Sequence, residues 1–165
     1  LIQTKQIDTQ AVRVRFHTDP KGMRDIHELG KHYQITDILD INGYIPRQDI
    51  LSLMHSSSIL LVLTTLSTPN GTHGIMGTKF FENIGVEKPI LCVRSDEECL
   101  ADAIQKTHAG LAASHVEEVK AFILDKYQEW LQQGYTRQTV INKEQFTRQH
   151  EAEQFEQLFI QTLKS

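Results

Sequence analysis

Between Thr65 and Glu82 the chain reads TLSTPNGTHGIMGTKFFE, with glycines at 71, 74 and 77 separating an apolar run from a helical one. A helix that starts beside glycine presents unpaired backbone N–H groups and the positive end of its dipole, and the missing side chain lets an anion come close. Phosphate is the anion this pattern suits. Lys79 falls in the first turn, where a cation opposes the dipole and is better tolerated beside a bound anion. Glu82 follows Thr78 by one helical turn and shares its side of the helix, so its carboxylate can accept from a ribose diol while the helix end holds a diphosphate. His73, inside the glycine loop, could meet a phosphate or sugar oxygen. The same residues also fit an ordinary glycine-rich loop in which Lys79 and Glu82 are solvated, and spacing alone leaves both readings open.

Other chemistries find less in the sequence. No GxGxxG follows a first strand, which weakens a dinucleotide site. Of the eight histidines, His27 and His32 are five apart and no HExxH occurs, so the histidines read as surface or core residues and no metal is expected. Hydrolase chemistry lacks a GxSxG elbow. Cys92 and Cys99 form neither a CxxC pair nor a disulfide framework, and Cys92, in an apolar run, reads as packing. Trp130 and the aromatic residues of the last helix are expected in the core.

The glycine loop must be held by the elements around it. Val12, Val14 and Phe16 alternate with Arg13, Arg15 and His17, a half-buried strand pattern that Asp19-Pro20-Lys21-Gly22 breaks. A helix is expected from about Met23 to Tyr33, a strand from about Ile38 to Tyr44, and a helix after Pro46 with Ile50, Leu53 and Met54 as its apolar face. Ser58 to Thr65 (SILLVLTT) is a continuous apolar run, expected as a central parallel strand covered on both faces. Gly77 to Val86 reads as the next helix and Pro89 to Val93 as another buried strand. Capping boxes are expected at Ser95 with Glu98 and at Ser114 with Glu117, with a short strand, Ala109 to Ala113, between the two helices they open. The second of these helices carries Val119, Phe122, Ile123, Tyr127 and Trp130 along one face; after Gly134-Tyr135, Thr147 is placed to cap a last helix with a stripe of Ala152, Phe155, Leu158, Phe159, Thr162 and Leu163. Five strands alternating with helices specify an α/β domain with a parallel sheet.

Composition agrees with that class. At 165 residues the chain suits one domain, and 39% hydrophobic with 23% charged residues is globular rather than disordered. A net charge of −4 disfavours nucleic acid as the main partner. No apolar run approaches the roughly 20 residues of a membrane span, and neither a signal segment nor a paired-cysteine framework points away from a reducing, cytoplasmic setting.

Four blocks in order, GYIPRQDILSLMHSSSILLVLTT, GTKFFENIGVEKPIL, HAGLAAS and QFTRQH, resemble the C-terminal, nucleotide-sugar-binding domain of GT-B glycosyltransferases of family 4 (group 1 type), from about Val12 to the C-terminus. The resemblance implies a Rossmann-like three-layer domain, the C-terminal half of a GT-B fold, occupying residues 1–165 with its last helix at 147–164. It implies a bacterial enzyme of polysaccharide biosynthesis that moves a hexosyl group from a nucleoside diphosphate sugar to an acceptor hydroxyl, with retention and without a cofactor. Glu82 would bind the ribose hydroxyls, Gly77 and Thr78 the diphosphate through their N–H groups, and the turn of Tyr44, Ile45 and Pro46 the base. The acceptor, a sugar, lipid or protein, would be bound by an N-terminal domain, and the full-length protein would be cytoplasmic, with peripheral attachment to the inner membrane left open.

Two departures qualify the likeness. The first of the family's common glutamate pair would fall at Gly74, which leaves the sugar contact without that group. The Arg and Lys that bind the donor phosphates follow the family's first strand, and the opening LIQTKQIDTQ resembles the tail of the helix after that strand. Catalytic residues are therefore not assigned, and residues 1–165 alone are expected to transfer no sugar. Two rivals stay open, a nucleotide-sugar epimerase of the same architecture and a non-catalytic nucleotide-binding module.

Overall fold

The computed structural model describes residues 1–64, 76–93 and 98–164. Five parallel strands and six helices alternate along it: β1 (Val14–His17), α1 (Pro20–His32), β2 (Leu39–Asn42), α2 (Arg47–Ser56), β3 (Leu60–Leu63), α3 (Thr78–Val86), β4 (Ile90–Val93), α4 (Glu98–Thr107), β5 (Gly110–Ala113), α5 (Val116–Gln133) and α6 (Arg148–Lys164). The protein is an α/β domain of Rossmann-like type. β1 pairs with β2, Val14 opposite Leu39, and β4 lies between β3 and β5, with Ile90 opposite both Leu60 and Gly110. The single sheet expected from the sequence is divided, because β1 and β3 are not hydrogen-bonded to each other.

Local chemistry explains most boundaries. Asp19-Pro20 starts α1 rather than merely ending the strand: Asp19 accepts the Gly22 N–H at 2.7 Å and Pro20 supplies the fixed φ of a first helical residue. Pro46 stands one residue earlier than a first-turn proline, as the N-cap of α2. The box before α5 is closed by Glu118, not Glu117, with its carboxylate accepting the Ser114 and His115 N–H groups at 2.9 and 3.0 Å, so that His115 and not Ser114 is the N-cap. Gly134, with φ 78, ends α5 in the left-handed conformation that suits glycine. Thr147 Oγ1 accepts from the His150 N–H at 3.2 Å and caps α6 as expected. Ser95, the other expected cap, lies outside the described residues.

The core sits where α3 and α4 cover β3, β4 and β5: Phe80, Ile84, Leu100 and Ile104 close on Val62, Ile90 and Cys92. Two expectations about burial fail. β3 is covered on one face only, since Leu60 and Val62 are buried while Leu61 is 37% and Leu63 65% exposed. The apolar stripe of α6 is not core either: Phe155, Leu158, Phe159 and Leu163 are exposed, and only the preceding turn, through Phe146 packed edge-on against Phe80 and Phe81, reaches the interior. Trp130 is half-buried. No helix of the described residues is long and apolar enough to cross a membrane.

Candidate functional site

Between the two sheets lies a cavity of about 1200 Å³, lined along β1 from Val14 to His17, along β3 from Leu60 to Leu63 and by Thr64 just after it, and by Ile123, Tyr127 and Trp130 of α5. Gly77, Thr78 and Lys79 line it as well, so the N-terminus of α3 opens onto the space between the two sheets. The β1–β2 pair contributes one wall of this space and β3, the edge strand of the three-stranded sheet, contributes another. In α/β domains ligands bind outside the carboxyl ends of the strands, where Thr64, His17 and the start of α3 lie.

Gly77 is the N-cap of α3, in extended conformation with no side-chain hydrogen bond to the helix end, and the space where its side chain would be is open. The first N–H groups of α3 are therefore capped by no side chain of their own N-cap residue, the arrangement that receives an anion. Lys79 and Glu82 are exposed and make no ion pair or hydrogen bond among the described residues. Lys79 lines the cavity; Glu82, one turn on, does not. His73 and the glycines at 71 and 74 lie outside the described residues.

Tyr44, Ile45 and Pro46 follow β2 at its carboxyl end and lead into α2, which packs on α3. Tyr44 is 78% exposed, Ile45 half-buried, and none of the three lines the cavity. The turn they form is nevertheless tied to it through a residue that sequence reasoning passed over. His17, at the end of β1, contacts the Gly43 carbonyl through Nδ1 at 3.0 Å and lines the cavity, while its Nε2 is buried without a partner among the described residues. The alternation of Val14, Arg15, Phe16 and His17 put this imidazole on the polar side of the strand. The signal that could have found it is its position, a titratable side chain at the carboxyl end of a strand next to the reversal.

Behind His17, Arg15 Nε donates to Asp40 Oδ2 at 2.5 Å across the β1–β2 pair, and Asn42 donates to the other oxygen at 2.8 Å. The Arg15 bond first, and the Asn42 amide second, hold the Asp40 carboxyl below its usual range. That charge is consumed inside the sheet pair. Among the described residues no group of His, Cys, Asp and Glu is arranged to hold a metal ion. Comparison with protein families, with curated proteins and with solved structures returns no match.

Proposed function

We propose that this domain holds the donor of a glycosyl-transfer reaction, a nucleoside diphosphate sugar, and acts as the donor half of a glycosyltransferase. The observation that carries the reading is the open N-terminus of α3 at Gly77, facing the cavity between the two sheets. The N–H groups of Gly77 and Thr78 then bond the diphosphate, Lys79 adds its charge, Glu82 receives the ribose hydroxyls, and the turn of Tyr44, Ile45 and Pro46 flanks the base. The absence of competing partners at Lys79 and Glu82 among the described residues supports those two roles, since neither side chain is committed to the fold. The resemblance of the GTKFFENIGVEKPIL block supplies the substrate class.

In transfer, the bond between the anomeric carbon and the diphosphate oxygen breaks with its electron pair on oxygen. The acceptor hydroxyl forms the new bond to that carbon, and its proton passes to the departing diphosphate. Negative charge grows on the leaving oxygens, where a fixed helix end and Lys79 stabilise it without reorganising, the usual form of electrostatic catalysis. The acceptor, a sugar, lipid or protein hydroxyl, is held by a separate domain, because transfer needs both partners oriented in one complex.

Titration of the isotopically labelled protein with uridine, guanosine and adenosine diphosphates tests the reading. The amides of Gly77, Thr78 and Lys79 are expected to shift with at least one of them, and those around Val119 in α5 to stay in place. Shifts confined to α5 and α6, or none with any of the three, overturn it.

A further inference from the structure

Asn42 is the last residue of β2 and Gly43 the first beyond it. An asparagine followed by glycine can cyclise, because the glycine has no Cβ to hinder attack of its nitrogen on the asparagine amide carbon, and its backbone turns freely. The fold supplies no other reason for glycine at this position. Gly43 is exposed, its φ is not positive, and no atom among the described residues beyond its chain neighbours lies within 4 Å of the place a Cβ would occupy.

Three contacts hold the pair: Asn42 Nδ2 donates to Asp40 Oδ1 at 2.8 Å, the Asn42 carbonyl accepts the Thr18 N–H at 3.0 Å, and the Gly43 carbonyl lies 3.0 Å from His17 Nδ1. Asn42 is also in register with His17 in the β1–β2 ladder, its backbone extended. Ring closure requires Asn42 to leave that conformation and turn its amide carbon toward the Gly43 nitrogen. The Asp40 bond must break and the end of the strand must open first. Cyclisation therefore runs from the locally opened state, at a rate proportional to its population.

We propose that Asn42–Gly43 is a site of spontaneous deamidation, latched by the Asp40 bond and the His17 tether, whose conversion loosens the end of β2 irreversibly. The Gly43 nitrogen forms a bond to Asn42 Cγ, the Cγ–Nδ2 bond breaks, and ammonia leaves with the proton of the Gly43 amide. Water then opens the five-membered imide at either carbonyl, which leaves aspartate or isoaspartate at position 42. Either product has lost the Nδ2 donor and brings a second carboxylate beside Asp40, so an attraction becomes like-charge repulsion. Isoaspartate also adds one atom to the main chain, which draws the Gly43 carbonyl away from His17 and shifts the turn that leads into α2. The inference rests on the β1–β2 pair and holds whatever ligand the domain binds.

Incubation at physiological pH and temperature, followed by peptide mass spectrometry, reads the conversion at Asn42. The other such pair, Asn70–Gly71, lies outside the described residues and serves as an internal clock that substitutions at 40 and 43 leave unchanged. In guanidinium, where no tether remains, Asn42 should convert at least about tenfold faster than in the folded protein. Asp40→Ala should speed conversion in the folded protein about three- to tenfold, the factor one hydrogen bond is worth. Gly43→Ala should slow conversion in guanidinium severalfold. In converted protein the Thr18 amide, which donates to the Asn42 carbonyl, should exchange its hydrogen faster than in the parent. Equal rates at Asn42 in folded and guanidinium-treated protein overturn the latch, as does folded Asp40→Ala that converts no faster than the parent. Absence of conversion in guanidinium overturns the site, and an unchanged Thr18 amide overturns the loosening. Should Asp40→Ala fail to fold, the ratio of folded to unfolded rates in the unaltered protein still decides.

Discussion

His17 and Gly43 are joined by a 3.0 Å contact between the imidazole Nδ1 and the backbone carbonyl, which fixes the end of β1 to the turn that leads through Tyr44 into α2. A carbonyl oxygen can only accept, so Nδ1 carries the proton and Nε2 is left as an acceptor in the neutral ring or a donor in the cation. His17 also lines the cavity, so one side chain holds the turn before α2 in place at the edge of the candidate site, its Nε2 buried without a partner among the described residues.

Replacing that side chain should therefore cost stability and order at once. His17→Ala is expected to lower the unfolding free energy by about 0.5–1.5 kcal/mol, the net worth of one hydrogen bond. His17→Asn, whose amide can donate from a similar position, should recover part of the loss. Urea unfolding of the three proteins measures this, and equal midpoints would show that the turn is held by other contacts.

Carboxylates set the acid limit of the fold. Asp40 is held below its ordinary 3.8 by the Arg15 and Asn42 bonds, and Glu87 below 4.5 by its bond to Lys143 and then by the charge of that lysine. Glu118 is lowered by the backbone N–H groups of His115 and Ser114. A lowered folded pKa means that the unfolded chain binds more protons at intermediate pH, so stability is complete above the ordinary carboxylate values and is lost as pH falls through the folded ones. The urea midpoint should be level near neutral pH and decline below about pH 4.5. Asp40→Asn should shallow that decline; an unchanged acid profile in this variant would place the dependence elsewhere.

Gly110 opens β5 with φ 156, and a Cβ built there would overlap the backbone of Ile90 in the neighbouring strand. Neither group is a flexible side-chain end, so the strands must part or the backbone must change. Gly110→Ala is expected to cost about 2–4 kcal/mol through overpacking and strain. A melting temperature within a degree or two of the parent would refute the close approach.

Sequence periodicity locates each strand and helix here because it reports local alternation, which βαβ units obey. It does not report what lies on the far side of a strand. SILLVLTT reads as covered on both faces, yet Leu61 and Leu63 are exposed, because coverage depends on elements that pack from elsewhere in the chain. The stripe of α6 misleads in the same way: Phe155 and Leu158 recur at helical spacing, but each is more than half exposed. Thr136 makes the opposite case. It sits in a polar connector that suggests a surface loop, yet it is buried and donates to the Ser58 carbonyl at 2.5 Å. Of the candidate site, the α3 N-terminus was legible because glycine before a helix has a direct backbone meaning; His17 was not, because its role depends on Gly43 in another strand's turn.

Glu82 is where a donor site and a solvated helix make the most different forecasts. Its carboxylate is exposed on α3 and has no partner among the described residues, so Glu82→Gln should leave folding unchanged, within about 0.5 kcal/mol. If the carboxylate accepts both ribose hydroxyls, the amide can accept at one oxygen only and without charge. Charge-assisted bonds contribute about 1.5–3 kcal/mol each, so the affinity of the full-length protein for its nucleoside diphosphate should fall roughly tenfold to a hundredfold. Calorimetric titration of parent and variant reads this directly. Equal dissociation constants would remove Glu82 from the site and leave the α3 N-terminus as the sole anchor, whereas a large fall in melting temperature would assign the carboxylate to the fold instead.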